Sequence, residues 1–81
     1  MSILIFLKRV KYFMADFAEN LKELRAERGL TLKQVADATG ISINGLSQWE
    51  NRKRLPNANA VIALAKFFNV TAGQLLGTEE L

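Results

Sequence analysis

Gly29, Gly40, Asn69 and Gly77 interrupt an otherwise helical spacing of apolar residues, and each is a residue type that tolerates the left-handed backbone on which helices end. No helix between such stops can run far. Short amphipathic helices are stable only when a neighbour covers the apolar stripe. The chain is therefore expected to be all-α, with several short helices around one core, and its 81 residues make that core small.

The caps and stripes divide the chain into about five helices. Phe17, Leu21 and Leu24 recur at helical spacing, with Glu19, Lys22, Glu23, Glu27 and Arg28 on the other side, and Gly29 closes this first helix. Thr31 offers an N-cap hydroxyl to a second helix of about two turns, which faces Val35 and Ala36 inward and stops at Gly40. Ser42 caps a third, with Leu46 and Trp49 on one face and the polar run Asn51 to Arg54 at its end. After Pro56, Asn57 caps a fourth helix whose stripe is Val61, Leu64, Ala65 and Phe68, with Asn69 as its C-terminal cap. Thr71 caps a short fifth helix carrying Leu75 and Leu76, ended by Gly77.

Composition removes several classes of function. The chain has no cysteine and no histidine, which excludes disulfides, zinc-finger ligands, thiol nucleophiles and imidazole proton transfer. It also lacks paired carboxylates placed for acid and base work, a phosphate-cradling glycine loop and a cluster of metal ligands, so no enzyme, metal, cofactor or small-molecule ligand is expected. The net charge of +3 suits a polyanion without establishing one. Its placement says more: Lys8, Arg9 and Lys11 lie near the start, Arg52, Lys53 and Arg54 form a second basic run, and Glu79 and Glu80 end the chain. The longest apolar run, Ile3 to Leu7, is too short to span a membrane and is followed by its charges, the reverse of a signal peptide. A cytoplasmic protein with no membrane partner is the expectation.

Two short helices joined by a tight turn at Gly40, the second polar on one side and followed by a basic loop, form a helix-turn-helix arrangement. Ala36 is small where the two helices cross, Gly40 takes the turn, and Val35, Ile41, Leu46 and Trp49 fill the wedge between them. The string TLKQVADATGISINGLSQWENRKRLPN has small, glycine and apolar residues at all the required offsets.

From about Phe17 to Gly77 the chain resembles the lambda-repressor-like proteins of the Cro/CI (XRE) type, in LKELRAERGLT, VADATGIS, SQWEN and AVIALAKFFNVTAGQLLG. The resemblance implies a five-helix domain over residues 14–77 that binds double-stranded operator DNA, as a homodimer or on paired half-sites. The positions matching the family's base-reading sites are Ser42, Ile43, Asn44, Ser47 and Gln48. Asn44 and Gln48 carry amides suited to adenine N6 and N7, and Ile43 suits a thymine methyl, so A·T pairs with few guanine contacts are expected under this helix. Thr31, Lys33 and Gln34 match phosphate contacts at the start of the second helix, and Asn51, Arg52, Lys53 and Arg54 match the phosphate-gripping loop on the other flank. Arg25 and Glu50 match an internal salt bridge, with Arg25 also within reach of a phosphate.

Two positions depart from the family. Position 52 is usually glycine there, because the chain leaves the third helix with positive φ; here it is Arg52, for which that conformation costs about 1 kcal/mol or more, so either the loop takes another path or Asn51 absorbs the turn. Gly45 lies inside the third helix at a cost of roughly 1 kcal/mol against alanine, with a closer backbone approach to DNA as the expected return.

Residues 1–13 precede the resemblance and are too apolar for an idle tail. As a helix, Ile3, Phe6, Leu7 and Val10 continue the stripe through Met14 into Phe17 and Leu21; as a strand, the ILIF run can pair with its copy in a dimer; and Met14 is itself a plausible start of the protein. Ile62 and Phe67, opposite the core stripe of the fourth helix, are candidates for the same interface. The leading expectation is a transcriptional regulator, more specifically a repressor, since the chain holds no large activation or ligand domain. The alternative is an antitoxin-like interaction module that grips a partner protein through residues 1–13. Residues 78–81 are expected to be a polar tail.

Overall fold

A computed structural model describes residues 13–79 of the chain, with side chains from residue 17 onward. The expectations for residues 1 to 12 and for the last two residues of the tail lie outside the described residues. The described residues form five α-helices and no strand: α1 (Phe13–Glu27), α2 (Leu32–Thr39), α3 (Ile43–Glu50), α4 (Ala58–Phe68) and α5 (Ala72–Leu76). This is the expected all-α lambda-repressor-like architecture. None of these helices is long and apolar enough to cross a membrane.

The four N-caps expected from sequence all close. The side chains of Thr31, Ser42, Asn57 and Thr71 accept hydrogen bonds from the backbone amides of Gln34, Gly45, Ala60 and Gln74, satisfying donors that have no partner inside the helix. At the other ends, Gly29, Gly40, Asn69 and Gly77 have φ between 56° and 78°, or 85° at Gly77. At three of them the next residue bonds back across the last turn, Leu30 to the Arg25 carbonyl, Val70 to Ala65 and Thr78 to Gly73. Among the described residues helix α1 runs from Phe13, a turn ahead of Phe17.

One core joins all five helices. Leu21, Val35, Leu46, Leu64, Phe68 and Leu75 are its fully buried centre, with Phe17, Ala36 and Trp49 around them. Helix α1 packs against α3 and α5, α2 against α3 and α4, and α4 against α5. Asn20 fastens α1 to the end of α5 by donating to the carbonyls of Gln74 and Leu75 at 3.0 and 3.3 Å. Arg28 does the same for α4, donating to the Phe68 carbonyl at 2.7 Å while lying over its ring.

Phe67 differs from the sequence expectation. It is half-buried, packs against the core, and meets Phe68 edge-on with ring centroids 4.9 Å apart, so it does not share an exposed face with Ile62. At about 100° per residue, Phe67 lies about 20° around α4 from the buried Ala60 and about 140° from Ile62, so the two occupy different sides of the helix. Ile62 is exposed.

Candidate nucleic-acid interface

Helix α3 is held from one side and open on the other. Gly45, Leu46, Trp49 and Glu50 are buried, and Trp49 meets the Phe17 ring edge-on at 6.4 Å. At about 100° per residue, Ile43, Asn44, Ser47 and Gln48 fall within about 140° of the opposite side. Ile43 and Asn44 are exposed, Ser47 and Gln48 half-buried, and the capping residue Ser42 is exposed at the head of the same helix. Ile43, in the first turn, is a large apolar side chain left 46% exposed.

Gly45 is on the inner side, which corrects the expectation that it brings backbone close to DNA. A Cβ there would stand 3.0 Å from Ser42 Oγ, the oxygen that caps the helix, and 3.7 Å from Trp49 Cζ2. The glycine makes room for the cap and the indole beneath it.

On one flank, α2 begins with a capping box. The Gln34 amide donates to Thr31 Oγ1 at 3.1 Å and Gln34 Oε1 accepts from the Thr31 amide at 2.8 Å. With its oxygen occupied, Gln34 directs its NH₂ away from the box, a donor well placed for an anion. Lys33 pairs with Asp37 at 2.9 Å, but both side chains are about 70% exposed and the pair is a weak competitor for a stronger anion.

On the other flank, the end of α3 corrects both alternatives weighed for position 52. Asn51 has φ −95° and Arg52 has φ 59°, so the arginine itself takes the left-handed turn. That conformation lets the Arg52 amide reach the Trp49 carbonyl at 3.2 Å and the Lys53 amide reach the Gln48 carbonyl at 2.9 Å, the same closure made at Gly29, Asn69 and Gly77. Two capped carbonyls outweigh a strain of about 1 kcal/mol. The Arg52 side chain then runs to Glu19 on α1 at 2.8 Å.

The four residues expected to grip phosphate from this loop therefore differ in what they already hold. Arg52 pairs with Glu19, and Asn51 donates from Nδ2 to the Ser47 carbonyl at 2.8 Å and to Ser47 Oγ at 3.4 Å. Arg54 donates to Gln48 Oε1 at 3.5 Å. The exposed Lys53 ammonium has no partner among the described residues. Neither the Glu19 nor the Gln48 contact carries a local sequence signal, since each depends on how the loop folds back.

Arg25 and Glu50 form a bidentate ion pair, Nε to Oε2 at 2.7 Å and Nη2 to Oε1 at 2.8 Å, and Arg25 Nη1 donates to the Leu30 carbonyl at 2.9 Å. Each of the three guanidinium nitrogens thus makes a hydrogen bond inside the domain, and the side chain remains 24% exposed. The hydrogen bond to Glu50 raises the Arg25 pKa, so the guanidinium stays charged through the alkaline range.

Among the described residues no group of acidic or histidine side chains gathers to hold a metal. Comparison with known proteins agrees with the geometry. A family model described as helix-turn-helix matches residues 21–75. The chain is 39% identical over 66 residues to the HTH-type transcriptional activator BcrR of Enterococcus faecalis, covering 82% of this chain and 32% of BcrR. It is 35% identical over 66 residues to the transcriptional regulator ImmR of Bacillus subtilis, covering 82% and 52%. It is 31% identical over 64 residues to the cryptic phage CTXphi transcriptional repressor RstR of Vibrio cholerae, covering 79% and 58%. The chain thus spans between a third and three fifths of the length of these relatives.

Proposed function

The chain belongs to the helix-turn-helix family of the XRE type, and from that premise we propose that it is a sequence-specific regulator of transcription that lays α3 in the major groove of double-stranded DNA. The observation that carries this reading is the uncovered side of α3. An exposed isoleucine and asparagine, with Ser47 and Gln48 behind them, stand on a helix whose other side is anchored in the core. Base edges in the major groove offer hydrogen-bonding groups and a thymine methyl, the two kinds of partner this mixture of side chains suits.

In this reading Ser42, Ile43, Asn44, Ser47 and Gln48 face the bases. Thr31, Lys33 and Gln34, with the free amides of the first turn of α2, take one phosphate strand. Asn51, Arg52, Lys53 and Arg54 take the other, with Lys53 the principal contact because it gives up no existing partner. The protein acts from the cytoplasm as a homodimer on two half-sites, and the sign of regulation we favour is repression, as for RstR, although BcrR is named an activator.

Selection of bound duplexes from a random library, followed by anisotropy titrations across salt concentration, tests this. Lys53→Ala should weaken binding to every duplex about equally and reduce the salt slope by about one. Asn44→Ala should leave the slope alone and relax preference at one base pair, at a cost of about 1–3 kcal/mol. Enrichment of no duplex at low salt would end the proposal.

A further inference from the structure

We propose that the loop leaving α3 sets the hydrogen-bonding polarity of the readers at that end of the helix, so that Ser47 and Gln48 present donors and select a guanine. The inference rests on the major-groove reading above and names a specificity for it.

A glutamine side chain by itself is ambivalent, because one end of its amide donates and the other accepts. Arginine is not, since every polar hydrogen on it is a donor. Arg54 Nη1 lies 3.5 Å from the Gln48 amide and can meet only its oxygen, which turns Nε2 the other way. The same logic holds one residue earlier. The Ser47 carbonyl only accepts, so Asn51 turns Nδ2 toward it at 2.8 Å, and that same NH₂ faces Ser47 Oγ at 3.4 Å. With its oxygen facing a donor, the Ser47 hydroxyl has its hydrogen to give elsewhere. Both readers therefore offer N–H or O–H groups outward.

The four base pairs respond differently to such a surface. Guanine shows two acceptors, N7 and O6, side by side in the major groove; adenine shows one acceptor beside an amino donor, thymine one acceptor, and cytosine only an amino donor. Guanine fits best and cytosine worst. The sequence alone suggested adenine for Gln48, which requires both ends of its amide to face the base; here the oxygen is turned toward Arg54. Asn44 carries no such restraint, as its exposed amide makes no hydrogen bond among the described residues. A half-site with A·T pairs under Ile43 and Asn44 and a guanine under Gln48 follows. The Arg54 contact is long and exposed, so charge assistance makes it a bias and not a lock.

Library selection with the full chain, run in parallel on wild type, Gln48→Ala and Arg54→Ala, tests the proposal. The base pair read by Gln48 is the one whose preference Q48A abolishes. There wild type should favour guanine over adenine by about tenfold, and R54A should favour adenine, because the freed amide can then use both ends. Adenine at that pair in wild type, guanine persisting there in R54A, or a Q48A selection in which no pair loses its preference would each overturn the proposal, the last because Gln48 would then read no base. Enrichment of no duplex by wild type would instead remove the DNA reading on which the proposal stands.

Discussion

Two ion pairs join α1 to the end of α3, and they could hardly be closer in kind. Arg25–Glu50 and Arg52–Glu19 each link an arginine to a glutamate across the same pair of elements, at 2.7 and 2.8 Å. They differ in solvent. The Glu50 side chain is 5% exposed and Arg25 24%, whereas Arg52 and Glu19 are each about half exposed. Buried Glu50 has no water to turn to, so its partner is obligatory, while either member of the outer pair is as well served by water. Distance therefore does not rank these contacts; the dielectric around them does. The comparison also separates the outer pair from the strained backbone at Arg52. That φ of 59° is sustained by two backbone hydrogen bonds and does not need Glu19.

The inner pair offers the largest effect. Arg25→Ala should destabilise the domain by about 3 kcal/mol or more in urea unfolding, because it strands a buried carboxylate. Glu50→Ala should cost less, about 1–2 kcal/mol, since Arg25 keeps its bond to the Leu30 carbonyl and part of its surface meets water. The pKa of Arg25 is raised by folding, so its contribution is fully present below the free-guanidinium value and is lost only as pH rises past the still higher folded one. The gap between wild type and R25A should accordingly hold steady from neutral pH well into the alkaline range. A gap that narrows there would show that the pair is not the source of the stability.

The backbone at position 52 comes next. Arg52→Gly and Arg52→Ala both remove the outer pair, but only glycine relieves the positive φ, so R52G should be about 1 kcal/mol more stable than R52A. Equal stability would mean that the chain leaves α3 by another path. The smallest effect belongs to the outer pair itself: Glu19→Gln should change unfolding stability by no more than about 0.5 kcal/mol, and the difference should vanish in about 1 M salt.

Much of the fold was legible residue by residue. Thr31, Ser42, Asn57 and Thr71 cap helices through bonds to amides three positions on, and Gly29, Gly40, Asn69 and Gly77 end them within one turn, so each signal and its effect lie close together in the chain. The stripes through Leu21, Val35, Leu46, Leu64 and Leu75 were equally plain, because helical period alone selects a face. The misread positions are those where a local rule was overruled. Arg52 takes a glycine's conformation, and Gly45 makes room for the Ser42 cap and the Trp49 indole; Phe67 was instead placed on the wrong side of its helix, since the period sets it beside buried Ala60.

The candidate interface divides in the same way. That α3 leaves Ile43, Asn44, Ser47 and Gln48 on one side follows from its register, which Leu46 and Trp49 set by needing the core. Which neighbouring cations remain unengaged does not follow from register. Arg52 is drawn to Glu19, thirty-three positions away, Arg25 is spent on Glu50 and Leu30, Arg54 leans on Gln48, and Lys53 is left with its charge unpaired among the described residues. The sequence by itself determined the four capped helix starts, the stops at Gly29, Gly40, Asn69 and Gly77 and the apolar side of each helix, because those outcomes depend on bonds spanning about four residues. The tertiary structure alone decided how each charged or amide side chain is used. A long flexible side chain finds its partner only after packing has placed the other helix beside it.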